Sequence, residues 1–98
     1  MNSIDNMIDS SYEILRYMYD LHVVLKDGTL FFPFSATDIS EHFNKSRTTI
    51  FNQLIRLKQA ELIESSSKKR RYNITSKGAI LVKNIEKTRK EMEESDKK

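Results

Sequence analysis

The segment Ser46-Arg47-Thr48-Thr49-Ile50-Phe51-Asn52-Gln53-Leu54-Ile55-Arg56-Leu57 has helical spacing and two differently employed faces. At about 100° per residue, Ile50, Leu54 and Leu57 fall together, while Thr48, Thr49, Asn52 and Arg56 form a separate polar strip. A helix of this kind needs other elements to cover its apolar side and open space on its polar side. Phe51 and Ile55 widen the apolar arc to about 160°, and core packing is expected of them ahead of contact with a thymine methyl. Thr, Asn and Arg side chains hydrogen-bond base edges and phosphates, and such a helix fits the major groove of DNA.

Charge is divided along the chain in a way that supports this reading. Residues 1–44 carry two basic side chains against seven acidic, residues 45–90 thirteen against three, and residues 91–98 two against four, within a net charge of +3. Such asymmetry is the pattern of a nucleic-acid footprint rather than of general solubility. Ninety-eight residues make one domain, and a chain of this size buries about 60–65% of its unfolded surface, so dimerisation would help it. There is no cysteine, hence neither a disulfide framework nor a thiolate metal site. The longest apolar run is far short of a membrane span, and Asn2-Ser3-Ile4-Asp5-Asn6 lacks the basic end of a signal peptide, so a cytoplasmic location is expected.

In chain order, residues 1–9 read as an N-terminal arm or an extra helical turn, with Ile4, Met7 and Ile8 at helical spacing. Ser10 and Glu13 have capping-box spacing, and a first helix is expected over 10–26, its apolar side running from Ile14 to Leu25 until Asp27-Gly28 ends it. Thr29-Leu30-Phe31-Phe32, followed by Pro33, suits a short edge strand. Residues 35–59 then read as two helices joined by a tight turn: Ser35 caps the first, Asn44 turns the chain and Ser46 caps the second.

Residues 62–74 read as a β-hairpin with Lys68, Lys69, Arg70 and Arg71 at its tip, placed for phosphate or minor-groove contact. Thr75 caps a last helix over 76–93, where Leu81, Ile85, Thr88 and Met92 form a narrow seam of coiled-coil type and the expected dimer interface.

The order of elements resembles the winged helix-turn-helix superfamily of DNA-binding proteins: mainly α, with a small β-hairpin wing. Ile39, Ser40 and Phe43 match its supporting helix; Ser46, Thr49-Ile50, Leu54 and Leu57 match its recognition helix; Leu62-Ile63 match the exit into the wing. Ile74-Thr75-Ser76-Lys77-Gly78 is similar to the start of the last helix in MarR-like and PadR-like regulators. The chain departs from the pattern at Lys45, usually apolar, and at Asn44 and Glu61, where glycine is common. The resemblance implies a homodimer on double-stranded DNA, acting as a transcriptional repressor. Ser46-Arg47-Thr48-Thr49-Ile50-Phe51, the wing and the Thr75 start are also similar to TubR-like centromere-binding proteins. That alternative implies a plasmid-partition adaptor that recruits a tubulin-like GTPase.

The expected division of labour follows from side-chain chemistry. Lys45, Arg47, Arg56 and the wing bases anchor on phosphate; Ser46, Thr48, Thr49 and Asn52 read bases, with Gln53 at the margin. An enzyme is not expected, and no cofactor or metal is: two glycines and two histidines twenty positions apart supply no phosphate loop, metal cluster or activated nucleophile.

Overall fold

Short turns, more than long helices, decide how this chain is laid out. The computed structural model describes residues 11–96, with side chains described as far as Met92. The order is α1 (Glu13–Leu21), β1 (Val23–Val24), β2 (Leu30–Phe32), α2 (Ala36–Phe43), α3 (Arg47–Gln59), β3 (Ile63–Ser65), β4 (Tyr72–Ile74) and α4 (Ser76–Asp96). The architecture is mainly helical with one small antiparallel sheet of four strands, ordered β1-β2-β4-β3.

The first helix is shorter than the sequence reading has it. α1 buries Ile14, Leu15 and Met18 but ends at Leu21, not near Lys26. The β-branched pair Val23-Val24 pairs instead with β2, Val23 opposite Phe31 and Val24 opposite Leu30. Asp27-Gly28 closes a hairpin rather than a helix. Gly28 takes φ +89°, the Leu25 carbonyl accepts its N–H, and the Asp27 carboxylate accepts the Thr29 N–H at 2.9 Å. With β1 on one side and β4 on the other, β2 is an interior strand and not the edge expected from Pro33. The expected two-stranded hairpin is thereby enlarged to four strands. Ser10 and the arm 1–9 lie outside the described residues; Ser11 and Tyr12 are buried in a widened turn ahead of α1.

Capping sets α2 and α3 as expected. The Ser35 hydroxyl accepts the Asp38 N–H while the Asp38 carboxylate accepts the Ser35 N–H at 2.9 Å, so two helix-start donors are satisfied reciprocally. These bonds hold the Asp38 carboxyl below its ordinary pKa. Asn44 ends α2 in the left-handed region, φ 54° and ψ 48°, and the Lys45 N–H returns to the Ser40 carbonyl. Ser46 then caps α3, accepting the Thr49 N–H at 3.1 Å.

α3 runs into the β3–β4 hairpin through Glu61, which accepts the left-handed φ of +63° that glycine would take more cheaply. The end of the hairpin is bolted to α4. The Leu62 carbonyl accepts the Thr75 N–H at 3.1 Å, the Glu61 carbonyl accepts the Thr75 hydroxyl at 2.6 Å, and the Ala60 carbonyl accepts the Lys77 ammonium at 3.0 Å. Gly78 is what lets the elements come this close, since a Cβ there would stand 2.2 Å from the Leu62 carbonyl oxygen.

The core joins Leu15 and Met18 of α1, Phe32 of β2, Ile39 of α2, Ile50, Leu54 and Leu57 of α3, Ile63 and Ile74 of the hairpin and Val82 of α4. Fully burying each such side chain stabilises the fold by about 1.5–3 kcal/mol before chain entropy is counted. α4 also packs on α1 through a polar patch: Tyr12 donates to Glu86, Arg16 lies 3.6 Å from Glu86, and Arg89 lies 3.6 Å from Glu13. Burial and the Glu86 carboxylate both raise the pKa of the Tyr12 phenol.

Candidate nucleic-acid interface

On α3 the partition between faces is sharper than the sequence suggests, and it differs at three positions. Ile50, Gln53, Leu54 and Leu57 are buried, whereas Thr48, Thr49, Phe51, Asn52, Ile55 and Arg56 are exposed. Gln53, placed at the margin of the base-reading strip, is therefore corrected to an inward residue. It lies on the flank of the buried arc next to Leu57, and its Oε1 is without a hydrogen-bond partner among the described residues. Phe51 and Ile55 are corrected in the other direction. Expected in the core, they remain 46% and 51% exposed, because the phase of the helix turns them away from the side on which Ile50, Leu54 and Leu57 are buried.

The polar strip is divided by what each side chain already does. Ser46 is exposed but spends its hydroxyl locally, donating to the Thr49 Oγ1 at 2.9 Å as well as capping the helix. That bond also draws Thr49 toward the helix end. Of the uncharged side chains of the strip, Thr48 and Asn52 are exposed with no such local partner among the described residues. Arg47 reaches the Thr37 hydroxyl on α2 at 3.4 Å, and Lys45, Arg56 and Lys58 are exposed around the same helix.

The hairpin tip stands against this face. Arg70 holds a left-handed φ of +62°, which turns the tip tightly, and the Arg71 N–H bonds the Lys68 carbonyl. Arg71 is half-buried and its Nε donates to the Pro33 carbonyl at 3.2 Å, so it braces the tip as well as carrying charge. Lys68 lies 5.8 Å from the centre of the Phe31 ring, while Lys69 and Arg70 are exposed.

α3, the hairpin and the start of α2 enclose one cleft of about 580 Å³. Arg47 and Phe51 line it from α3, Arg70, Arg71 and Tyr72 from the hairpin, and Ser35 to Thr37 from α2. Residues 23 or more positions apart in sequence, Arg47 and Arg70 among them, thus face a common space. Thr37 and Tyr72 were not singled out from the sequence. Thr37 lies two positions after the Ser35 cap, in the first turn of α2, and Tyr72 is half-buried at the cleft wall.

The seam on α4 divides in two. Leu81 and Ile85 are half-buried against the core of their own chain, while Thr88, which donates to the Asn84 carbonyl, and Met92 are exposed. At about 100° per residue the seam lies roughly a quarter-turn from the Val82, Glu86 and Arg89 side that meets α1. Beside it, Ala60, Leu62, Lys77, Ile80, Leu81 and Asn84 line a mostly apolar groove of about 350 Å³. His42 is exposed and stacks on Tyr17, ring centres 4.0 Å apart; His22 is half-buried and bonds the Tyr19 carbonyl.

No described helix is long and apolar enough to cross a membrane. Protein-family models, curated proteins and solved structures offer no match to this chain.

Proposed function

We propose that the chain is a sequence-specific double-stranded DNA-binding protein of winged helix-turn-helix architecture, with α3 as recognition helix and the β3–β4 hairpin as wing. The observation that carries the reading is the cleft: Arg47 of α3 and Arg70 and Arg71 of the hairpin line one space beside the exposed Thr48 and Asn52. A polyanion is the natural occupant of such a surface. α3 enters the major groove, where Thr48 and Asn52 meet base edges, while Lys45, Arg47, Arg56 and the hairpin bases Lys68, Lys69, Arg70 and Arg71 neutralise phosphates.

The chain works as a homodimer in this proposal, two recognition helices reading adjacent half-sites. The exposed half of the α4 seam, Thr88 and Met92, and the groove beside Ile80 and Leu81 are the surface offered to the second copy. Covering DNA in this way makes transcriptional repression the favoured biological outcome. The resemblance of Ser46 to Phe51 and of the Thr75 helix start to TubR-like proteins favours, as second reading, a centromere-binding adaptor for a tubulin-like GTPase.

Gel-shift titration of the intact chain on randomised duplexes at low salt tests the reading, with Lys69→Ala/Arg70→Ala as the wing variant. The double variant is expected to weaken binding similarly on every duplex; binding equal to wild type contradicts the wing's role. A tubulin-like GTPase that binds only the DNA-loaded chain would favour the partition role over repression.

A further inference from the structure

We infer that Ile55 and Phe51 read the 5-methyl groups of thymine in the major groove, so that the preferred target carries thymine where these two side chains face it. The inference rests on the DNA-binding reading above and concerns what that surface selects.

The placement on α3 makes the case. Ile50, Gln53, Leu54 and Leu57 are buried and define the inward direction of the helix. At about 100° per residue, Ile55 lies roughly 30° from the direction opposite to their centre, between Phe51 and Thr48. An isoleucine at the middle of the outward face, 51% exposed, is not packing the core. Phe51, one helical turn earlier and 46% exposed, is its surface neighbour and lines the cleft toward the hairpin. Together they make an apolar patch in the part of the helix that would lie deepest in the groove.

The surroundings select the occupant. Arg47, Arg56 and Lys58 flank the patch on the helix, and Arg70 and Arg71 face its Phe51 across the cleft. A second copy docked there by two-fold symmetry would bring these cations against their own equivalents, which costs association energy. An anionic partner with an apolar projection fits both features. In the major groove the thymine 5-methyl is that projection, and it presents beside the adenine edge that Asn52, next to Ile55 on the outward face, is suited to bind.

The test uses the intact chain. A duplex enriched from a randomised double-stranded library is resynthesised with deoxyuridine for thymidine, which removes the methyls and keeps Watson–Crick pairing. Dissociation constants follow from fluorescence anisotropy. Wild type is expected to bind the uridine duplex about fourfold more weakly per methyl contacted, and roughly fifteenfold for two, the factors for losing burial of one or two such groups. Ile55→Ala and Phe51→Ala should each reduce that ratio, with melting temperatures unchanged because neither residue packs the core.

Equal affinity of wild type for the two duplexes, with preference over a scrambled sequence intact, overturns the inference and leaves the DNA-binding reading standing. Variants that keep the wild-type ratio also overturn it, since the methyls would then be read elsewhere. So do variants that weaken both duplexes equally and lower the sedimenting mass, which would make the patch a protein contact. Failure of any duplex to enrich or bind at low salt refutes the underlying reading instead.

Discussion

Substituting Gly78 by alanine tests the junction that sets the hairpin against the helices. Gly78 is the third residue of α4, where alanine would ordinarily gain about 1 kcal/mol in helix propensity. The new Cβ would sit 2.2 Å from the Leu62 carbonyl oxygen, 3.1 Å from its carbon and 3.2 Å from Ile74 Cγ2. Backbone is the obstacle, so no side chain can rotate away; the start of α4 or the strand beside it has to move by about 1 Å to restore normal contact. That movement strains the bonds from Thr75 N–H to Leu62 and from the Thr75 hydroxyl to Glu61. Overpacking costs roughly 1–3 kcal/mol and each of the two weakened bonds about 1 kcal/mol, so after the propensity gain the net loss is about 2–4 kcal/mol.

For a domain of this size such a loss lowers Tm by roughly 10–30 °C. Circular dichroism melts of wild type and Gly78→Ala measure it. Gly28→Ala is the contrast: its φ is +89° but nothing lies within 4 Å, so it should cost only about 1 kcal/mol, from backbone conformation alone. A Gly78→Ala protein as stable as wild type, or more stable, would refute the close approach of α4 to Leu62.

Three further outcomes are expected. Asn52→Ala should lose preference for a selected duplex over a scrambled one more than it loses affinity, read by gel-shift titration on both; equal loss on the two would remove it as a base reader. Sedimentation of the intact chain at micromolar concentration should give a dimer, and Met92→Lys should shift it toward monomer; wild-type monomer throughout would refute dimerisation. Asp38, its carboxyl lowered below 3.8 by the Ser35 bonds, contributes stability that is present at neutral pH and lost as pH falls through and below that value. Melting temperatures from pH 7 to pH 3 should therefore fall less in Asp38→Asn than in wild type, and parallel profiles would contradict the assignment.

What could be read from the sequence was whatever had a chemical marker. Ser35 with Asp38, Asn44 and Ser46 each name a specific backbone event, and all three occur where their chemistry puts them. The end of α1 had competing markers. His22 and Leu25 continue a helical spacing, while Val23-Val24 and Asp27-Gly28 describe a hairpin, and a pair of two- and three-residue strands is too short for alternation to show. At Phe51 and Ile55 of α3 the inward assignment of apolar residues does not hold. That rule fails where helical phase turns the residue away from the buried side, and much exposed surface is apolar in any protein. Gln53 is the converse, a polar side chain carried inward by the phase of its helix. The cleft had no local marker, since it depends on the hairpin returning to α3 across the start of α2.

Salt dependence of binding addresses the central claim most directly. Seven basic side chains, Lys45, Arg47, Arg56, Lys68, Lys69, Arg70 and Arg71, are the proposed phosphate contacts. If four to six of them neutralise phosphates, log K should fall against log salt with a slope of about −4 to −5 per chain. Anisotropy titrations of the intact chain on a randomised duplex between low and physiological salt should give that slope. Absence of binding at the lowest salt, or affinity that does not change with salt, would contradict the account.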